Sequence, residues 1–434
     1  MRVLMIGSGG REHAILWTLK RTSGVSLDLY CAPGNAGIAQ LAKCVPAAVS
    51  DHAALVHLAQ SLKIDLTIVG PEGPLAAGLV DEFERNGLKI MGPSLAASRL
   101  EASKTFAKDF MKRHNIPTAD YAVAVSAAEA IHVLRSGRFG PPESSVVIKA
   151  DGLAAGKGVV VAGSRAEGEQ AVADLSSGGL VSEEAAKQIL IEETLEGREV
   201  SVLLFSDGTN YALMPPARDH KRIGENDTGP NTGGMGAITD DSVVDRETIN
   251  QIVSEVVEPT LKGAREEGFP FRGILFVGLM LTASGPKVLE YNVRFGDPET
   301  QAILVRLESD LLDIFQSIAE GRLRNTAVKW SDHPSACVVL ASKGYPGEFK
   351  NGVLIEGLDQ IAPSEIEPRV QVFHAGTALS GDGAFLTAGG RVLGVTATGE
   401  TLGNALERCY AAVEGIRWDG MQFRRDIGQF NEIL

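Results

Sequence analysis

The period of the hydrophobic positions changes along the chain, and each change predicts a different element. Residues 2–6 (Arg-Val-Leu-Met-Ile) are a short apolar run, the pattern of a strand buried on both faces. The run breaks at Gly7-Ser8-Gly9-Gly10-Arg11-Glu12-His13, and an apolar helix is predicted over 14–19. The same texture recurs in a strand at 27–30, a helix at 51–62, a strand at 65–69 and a strand at 89–91. The last two strands end in Gly70-Pro71-Glu72-Gly73-Pro74 and Gly92-Pro93-Ser94. Strand–helix alternation predicts a Rossmann-like parallel sheet. Its Gly/Pro turns then gather at the carboxyl edge, where ligands bind.

From about residue 103 the texture changes. A helix is predicted over 104–114, and Ser126-Ala127-Ala128-Glu129 has the capping-box pattern that opens another. The strand 146–150 leads through a glycine-rich hairpin into a second strand at 159–161. This is no Walker loop, because the spacing from Gly152 to Gly156-Lys157 is wrong and Gly158 stands where Ser or Thr is needed. It reads as a flap carrying Lys149 and Lys157 over phosphates, or as a solvated hairpin. A strand at 189–192 passes into Glu193-Thr194-Leu195-Glu196, an apolar-to-acidic step suited to an adenine and a ribose hydroxyl. A hairpin over 199–205 and 211–214 follows. Residues 217–236 are so polar that a long functional loop is expected there.

A helix at 247–267 and a strand at 273–281 lead to the stretch with the clearest alternation, Val288-Leu289-Glu290-Tyr291-Asn292-Val293-Arg294-Phe295. A period of two places Glu290, Asn292 and Arg294 on one face and Leu289, Tyr291, Val293 and Phe295 on the other. Two hard oxygen ligands beside a guanidinium suit a magnesium–nucleotide site; the plain alternative is the solvated face of an edge strand. After a helix at 301–320, strands at 336–342, 353–355, 370–374 and 391–396 and a helix at 402–415 read as a packing domain that walls the cleft. The expected organisation is α/β in three parts: 1–102, 103–328 with a small lobe at about 121–195, and an α+β domain over 329–434.

Composition narrows the function. The 41 basic and 55 acidic residues leave a net charge of −14, which argues against a nucleic-acid face. No apolar run approaches membrane-spanning length, so no membrane partner is expected. Met1 runs straight into a strand, so no signal peptide is expected. Cys31, Cys44, Cys337 and Cys409 have no metal-type spacing and read as free thiols in a reducing, cytoplasmic compartment. None of the eight His has metal-type spacing; His13, His220 and His374 read as structural or substrate-facing. A dinucleotide fingerprint needs a third Gly where Glu12 stands, and no acid holds a ribose at the end of the second strand. NAD is therefore disfavoured, and Gly7 to Gly10 form either a phosphate turn or a turn of close backbone approach.

Taken together, these motifs resemble the ATP-grasp superfamily and, within it, the glycinamide ribonucleotide synthetase family. The resemblance rests on Gly9-Gly10-Arg11-Glu12-His13, Ala32-Pro33-Gly34-Asn35-Ala36-Gly37, Thr67-Ile68-Val69-Gly70-Pro71-Glu72, Lys149-Ala150-Asp151-Gly152, Asp219-His220-Lys221-Arg222, the run Asp227 to Gly236, Arg294-Phe295-Gly296-Asp297-Pro298-Glu299-Thr300 and the closing Phe423-Arg424-Arg425-Asp426-Ile427-Gly428. It departs only in Val293 and Ser8. It implies an ATP-grasp core with a small flap lobe, in a monofunctional monomer that ligates glycine to 5-phosphoribosylamine through glycyl phosphate. It further implies Mg²⁺, or Mn²⁺, on Glu290 and Asn292. Lys104, Lys149, Gly156, Lys157 and Gly158 would meet the phosphates, and Glu192, Glu193, Leu195 and Glu199 the adenosine. Arg294, Asp297, Asp219 and Lys157 would carry the chemistry. Gly9, Gly10, Asn35, Gly70, Glu72, Lys221, Arg222, Asn231, Thr232 and Gly233 would hold the phosphoribosylamine. A nucleotide-binding protein without turnover and an ATP-grasp ligase of another substrate pair are the rivals.

Overall fold

The first apolar runs assemble as their pattern predicts. In the structure, a computed structural model that describes residues 1–153, 158–177, 188–361 and 370–430, β1 (Arg2–Gly7) lies at the centre of a parallel sheet. Its neighbours are β2 (Asp28–Pro33), β3 (Lys43–Cys44), β4 (Leu66–Val69) and β5 (Ile90–Met91), in the order β3-β2-β1-β4-β5. Val3, Leu4, Met5 and Ile6 are wholly buried because helices cover both faces of a parallel sheet. Those helices are α1 (Gly10–Thr22), α2 (His52–Ser61), α3 (Glu72–Ala76), α4 (Leu79–Arg85) and α5 (Leu95–Ala102). The glycines at the sheet edge have a steric cause. Glu12 folds back from the first turn of α1, accepts the Gly9 N–H, and fills the gap between the ends of β1 and β4. A Cβ on Gly70 would lie 2.0 Å from Glu12 Oε1. A Cβ on Gly7, at φ +132°, would likewise lie 2.6 Å from Glu12 Cγ, so Glu12 enforces close backbone approach at this turn too.

A small antiparallel lobe follows α6 (Lys104–Arg113), whose first turn is capped by Ser103 Oγ accepting from Phe106 N at 3.1 Å. It consists of β6 (Tyr121–Ala124), α7 (Ala127–Arg135), β7 (Val146–Ala150), β8 (Val159–Ala162), α8 (Arg165–Ser176) and β9 (Ile189–Glu193), in the strand order β6-β9-β7-β8. Ser126 caps α7, as its spacing to Glu129 predicts. Ile148, Val172, Leu175 and Ile191 form a core private to this lobe, which separates it from the sheet below.

One antiparallel sheet carries most of the remainder, in the order β17-β16-β10-β12-β15-β18-β22-β19. Its strands are β10 (Arg198–Asp207), β12 (Ala217–Asp219), β15 (Gly236–Thr239), β16 (Arg272–Thr282), β17 (Gly285–Asn292), β18 (Ser335–Ser342), β19 (Val370–His374) and β22 (Arg391–Thr398). Short β11 (Tyr211–Leu213) and β23 (Met421–Gln422) flank it; β13 (Arg222–Gly224) pairs with β14 (Thr228–Asn231), and β20 (Thr377–Leu379) with β21 (Phe385–Thr387). Pairing of β15 with β18 carries the sheet from the core into the C-terminal segment. Among the described residues no helix is long and apolar enough to cross a membrane.

Three local expectations are corrected. Residues 217–236 are no open loop, because their backbone groups are used by β12, the β13–β14 hairpin and the start of β15. The helix expected over 301–320 is two, α11 (Glu299–Leu304) and α12 (Leu311–Glu320). Asp310 opens the second by accepting Leu312 N at 2.8 Å, and buried Arg306 fills the break with a 2.8 Å bond to Thr239 Oγ1. The helix expected over 247–267 is α9 (Arg246–Ile252) and α10 (Glu258–Glu266), joined by a π turn at Val253–Val257 just before Pro259. α13 (Leu402–Gly415) packs on β18 and β22 from the other end of the chain.

Candidate active site

The alternation of β17 is interrupted by a bulge. Gly278 of β16 faces Glu290, and the next residue, Leu279, faces Val288, so Leu289 is the extra residue. Val288 and Tyr291 are buried in the core while Leu289, expected there, is only half buried. The bulge turns the Leu289 carbonyl outward, where it accepts Lys149 Nζ at 3.3 Å. The polar face survives intact. Arg294 Nη2 donates to Asn292 Oδ1 at 3.1 Å, and Asn292 Nδ2 stands 3.5 Å from Glu290 Oε1.

Lysines from three elements surround this face. Lys104 Nζ donates to the Ala150 and Gly152 carbonyls at 3.1 and 2.7 Å and so holds the base of the glycine hairpin. Ala150 N bonds the Gly158 carbonyl at 2.8 Å; Gly156 and Lys157 lie outside the described residues. Burial would raise the Glu290 carboxyl, but Lys221, Lys149 and Lys104 hold it below the usual carboxylate range. Glu192, expected at the adenosine, is instead buried between Lys149 at 2.8 Å and Lys108 at 2.9 Å. Burial pulls the Lys108 ammonium down to about 8 even so. Glu193 Oε1 accepts Asp120 N at 2.9 Å and Lys287 Nζ at 3.3 Å, and Leu195 is half buried in the link from β9 to β10.

The other side of the face belongs to anions paired with arginine. Arg294, expected to meet an oxyanion, is already shared by Glu72 at 3.1 Å and Glu101 at 2.8 Å. Glu101 also accepts Val293 N at 2.7 Å. Arg11 Nη1 reaches the Phe295 carbonyl at 2.9 Å and ties α1 to the end of this stretch. Asp297 would be raised by burial, but Arg391 and Arg11 hold it low; its oxygens meet Gln301 Nε2 at 2.8 Å and Arg391 at 3.3 Å. Lys221, expected on phosphoribosylamine, and Glu199, expected on adenosine, are an ion pair with each other. Burial pushes Asp219 up to about 6 against the pull of Lys221, and Glu299 up to about 8, with the nearby Asp219 adding to the rise.

The smaller polar residues hold the loops. Asn35 Nδ2 donates to the Ser8 and His374 carbonyls, each at 2.8 Å, and its Oδ1 accepts Ile38 N at 2.9 Å. Thr232 bonds the Lys221 carbonyl through both N and Oγ1. Arg222 Nη1 donates to the Gly229 carbonyl at 2.6 Å, and Asn231 lies opposite Arg222 across the β13–β14 pair. Gly233 N donates to Tyr345 Oη at 3.0 Å. Gly9 caps α1 and Gly10 opens it beside Gln301.

Descriptions of one family match successive parts of this chain. "Phosphoribosylglycinamide synthetase, N domain" matches residues 1–101, the ATP-grasp (A) domain of the same synthetase 102–300, and its C domain 335–430. A phosphoribosylamine–glycine ligase from Mesorhizobium japonicum is 46% identical over 429 residues, covering 99% of this chain and 98% of its own. The chain belongs to the phosphoribosylglycinamide synthetase family. The crystal structure of phosphoribosylamine–glycine ligase from Thermotoga maritima superposes with a TM-score of 0.83 at 34% identity, over 98% of this chain and all of that one. A biotin carboxylase domain of Hydrogenobacter thermophilus 2-oxoglutarate carboxylase, in complex with magnesium ADP, shares the fold at TM-score 0.72 and 17% identity, over 97% and 91% of the two chains.

The synthetase fold explains the residues that the sequence pattern missed. Glu101 lies in the last turn of α5, Glu299 opens α11 and Arg391 opens β22. Only Glu299 stood in a quoted motif. Among the described residues no three His, Cys, Asp or Glu are grouped to hold a metal. An ionised Glu290 and the Asn292 amide oxygen do fit a hard cation that takes its remaining ligands from phosphates and water.

Proposed function

We propose that this protein is a ligase that joins glycine to 5-phosphoribosylamine with ATP, yielding glycinamide ribonucleotide, ADP and phosphate. The observation that carries this reading is the 46% identity to a phosphoribosylamine–glycine ligase over nearly the whole of both chains. A glycine carboxylate oxygen attacks the γ-phosphorus and ADP leaves. The sugar amine then attacks the carbonyl carbon of the glycyl phosphate, phosphate leaves and the amine loses its proton. Positioning and charge neutralisation carry both steps. Lys104 and Lys149, with Lys157 and the glycines beside it, meet the phosphates. Glu193 and Leu195, at the link between the small lobe and the sheet, face the adenosine. Glu290 and Asn292 would hold Mg²⁺, or Mn²⁺, which neutralises phosphate charge when bound.

Asp297 and Asp219 receive the glycine ammonium. Asp297 is held low by arginine, and Asp219, raised only to about 6, is mostly ionised at neutral pH. Arg294, kept in place by Glu72 and Glu101, presents its remaining edge to the acyl group. The turns at Gly9-Gly10, Asn35 and Gly70, with Glu72, Lys221, Arg222, Asn231, Thr232 and Gly233, enclose the phosphoribosylamine. The enzyme works as a cytoplasmic monomer on small molecules. Phosphate release from ATP and Mg²⁺ tests the reading, with glycine and freshly generated phosphoribosylamine added singly and together. Release that needs both supports it. Release with one alone assigns another substrate pair, and no release under any condition removes the ligase reading.

A further inference from the structure

The C-terminal segment does more than wall the cleft. Arg391 opens β22, opposite Ala341 of β18, and its guanidinium points into the seam between two loops of the core. Nη1 donates to the Gly233 carbonyl, to the Asp297 carbonyl at 2.7 Å and more weakly to Gly234 at 3.4 Å, while Nη2 stands 3.3 Å from Asp297 Oδ2. The two loops touch only because of their composition. A Cβ on Gly233 would lie 3.0 Å from Arg391 Cζ, and one on Gly234, at φ +109°, would lie 2.4 Å from Pro298 Cδ. Tyr345, beside Gly390, holds the same turn through the Gly233 N–H.

A guanidinium is a planar fork whose N–H groups point in fixed directions, so one side chain can hold two backbones in one register. We propose that Arg391 is a positioning residue for both small substrates. It locks the turn at Thr232-Gly233-Gly234 to the turn at Gly296-Asp297-Pro298, and thereby sets the distance between the amine and the glycine subsites. The inference rests on the reading that these two turns hold phosphoribosylamine and glycine. Arg391 touches neither substrate and acts through the carbonyls and the carboxylate that it fixes. The ATP side of the site, at Lys104, Lys149 and Glu290, has no bond to Arg391 among those described.

Steady-state kinetics of the wild-type chain, Arg391→Lys and Arg391→Ala, with each substrate varied in turn, test this. In Arg391→Ala the KM values of glycine and phosphoribosylamine rise about tenfold through the lost charge-assisted bonds. Its kcat falls about 100-fold through misplacement of the reacting groups. The KM of ATP stays near wild type. Arg391→Lys retains the charge but not the fork, so both KM values stay raised. Added guanidinium ion restores part of the Arg391→Ala loss and none of the Arg391→Lys loss. Unchanged KM values for glycine and phosphoribosylamine overturn the inference, as does a KM of ATP that rises with them. Should Arg391→Ala not fold, wild-type KM values in Arg391→Lys overturn it equally. A wild-type chain without glycine- and amine-dependent phosphate release fails the functional reading instead, and the two failures are therefore distinct.

Discussion

Glu192 on β9 and Glu290 on β17 are both carboxylates set among lysines, and they meet them in different ways. Glu192 is almost wholly buried and is ion-paired at close range with Lys108 and Lys149. Glu290 feels Lys221, Lys149 and Lys104, which keep it ionised, yet among the described residues none of these lysines is within salt-bridge distance of it. A buried carboxylate in contact with its cations gives its lone pairs to them first. A carboxylate ionised by cations at a distance is left with lone pairs to give. Lys149 takes part in both arrangements and joins the small lobe to the bulged strand below. Glu299 makes a third case. It is buried beside Asp219 with Lys221 and Arg294 only as weaker counterweights, and burial pushes it up to about 8.

The largest effect that would sharpen this contrast is kinetic. Glu290→Gln keeps the shape and removes the charge, and phosphate release falls about 1,000-fold, as for other groups aimed at transition-state charge. Its denaturation midpoint barely moves. A large loss of stability with turnover preserved would make Glu290 scaffold and break the comparison. Glu192→Ala is the reverse case. It leaves two buried ammonium groups unpaired and costs about 3–5 kcal/mol of stability by denaturant unfolding. A variant as stable as the parent but inactive would place Glu192 at the ligand after all.

The smallest effect is a pH dependence. The Glu299 carboxyl is raised in the folded chain from an ordinary 4.5 to about 8 by burial first and Asp219 second. Over that window the unfolded chain has lost the proton and the folded chain keeps it. This group's contribution is therefore fully present below pH 4.5 and is lost as pH rises to about 8. Unfolding of the parent and of Glu299→Gln across this range shows the parent losing stability relative to the variant. A gap that stays constant with pH would show that Glu299 ionises freely, with its cations closer to it than burial allows.

The sequence alone settles whatever depends on near neighbours. The apolar run at 2–6, the cap at Ser126 and the shared face of Glu290, Asn292 and Arg294 could be read directly, because strand period and cap chemistry act over a few residues. The full polar loop at 217–236 was misread for a related reason: its backbone bonds join its own two ends, close the β13–β14 hairpin and reach β10 and β18, so local polarity said nothing of its order. The break before α12 was carried by Asp310, a cap signal lying inside an apolar pattern that ran past it.

What only the tertiary structure decided is how the charges are shared. Glu72 and Glu101 come to Arg294 from the first sheet domain, and Arg391 comes to Asp297 from the far end of the large sheet. Lys221 and Glu199, read from sequence as contacts of different ligands, are each other's partners. The Leu289 bulge, set by the register of β16, turned a carbonyl toward Lys149 that a regular strand would have kept in its ladder. Ion pairing depends on burial and on approach across hundreds of residues, and a pattern along the chain contains neither. The sequence therefore determined which residues the site has to work with. Packing determined which of them hold one another, and in what arrangement they meet.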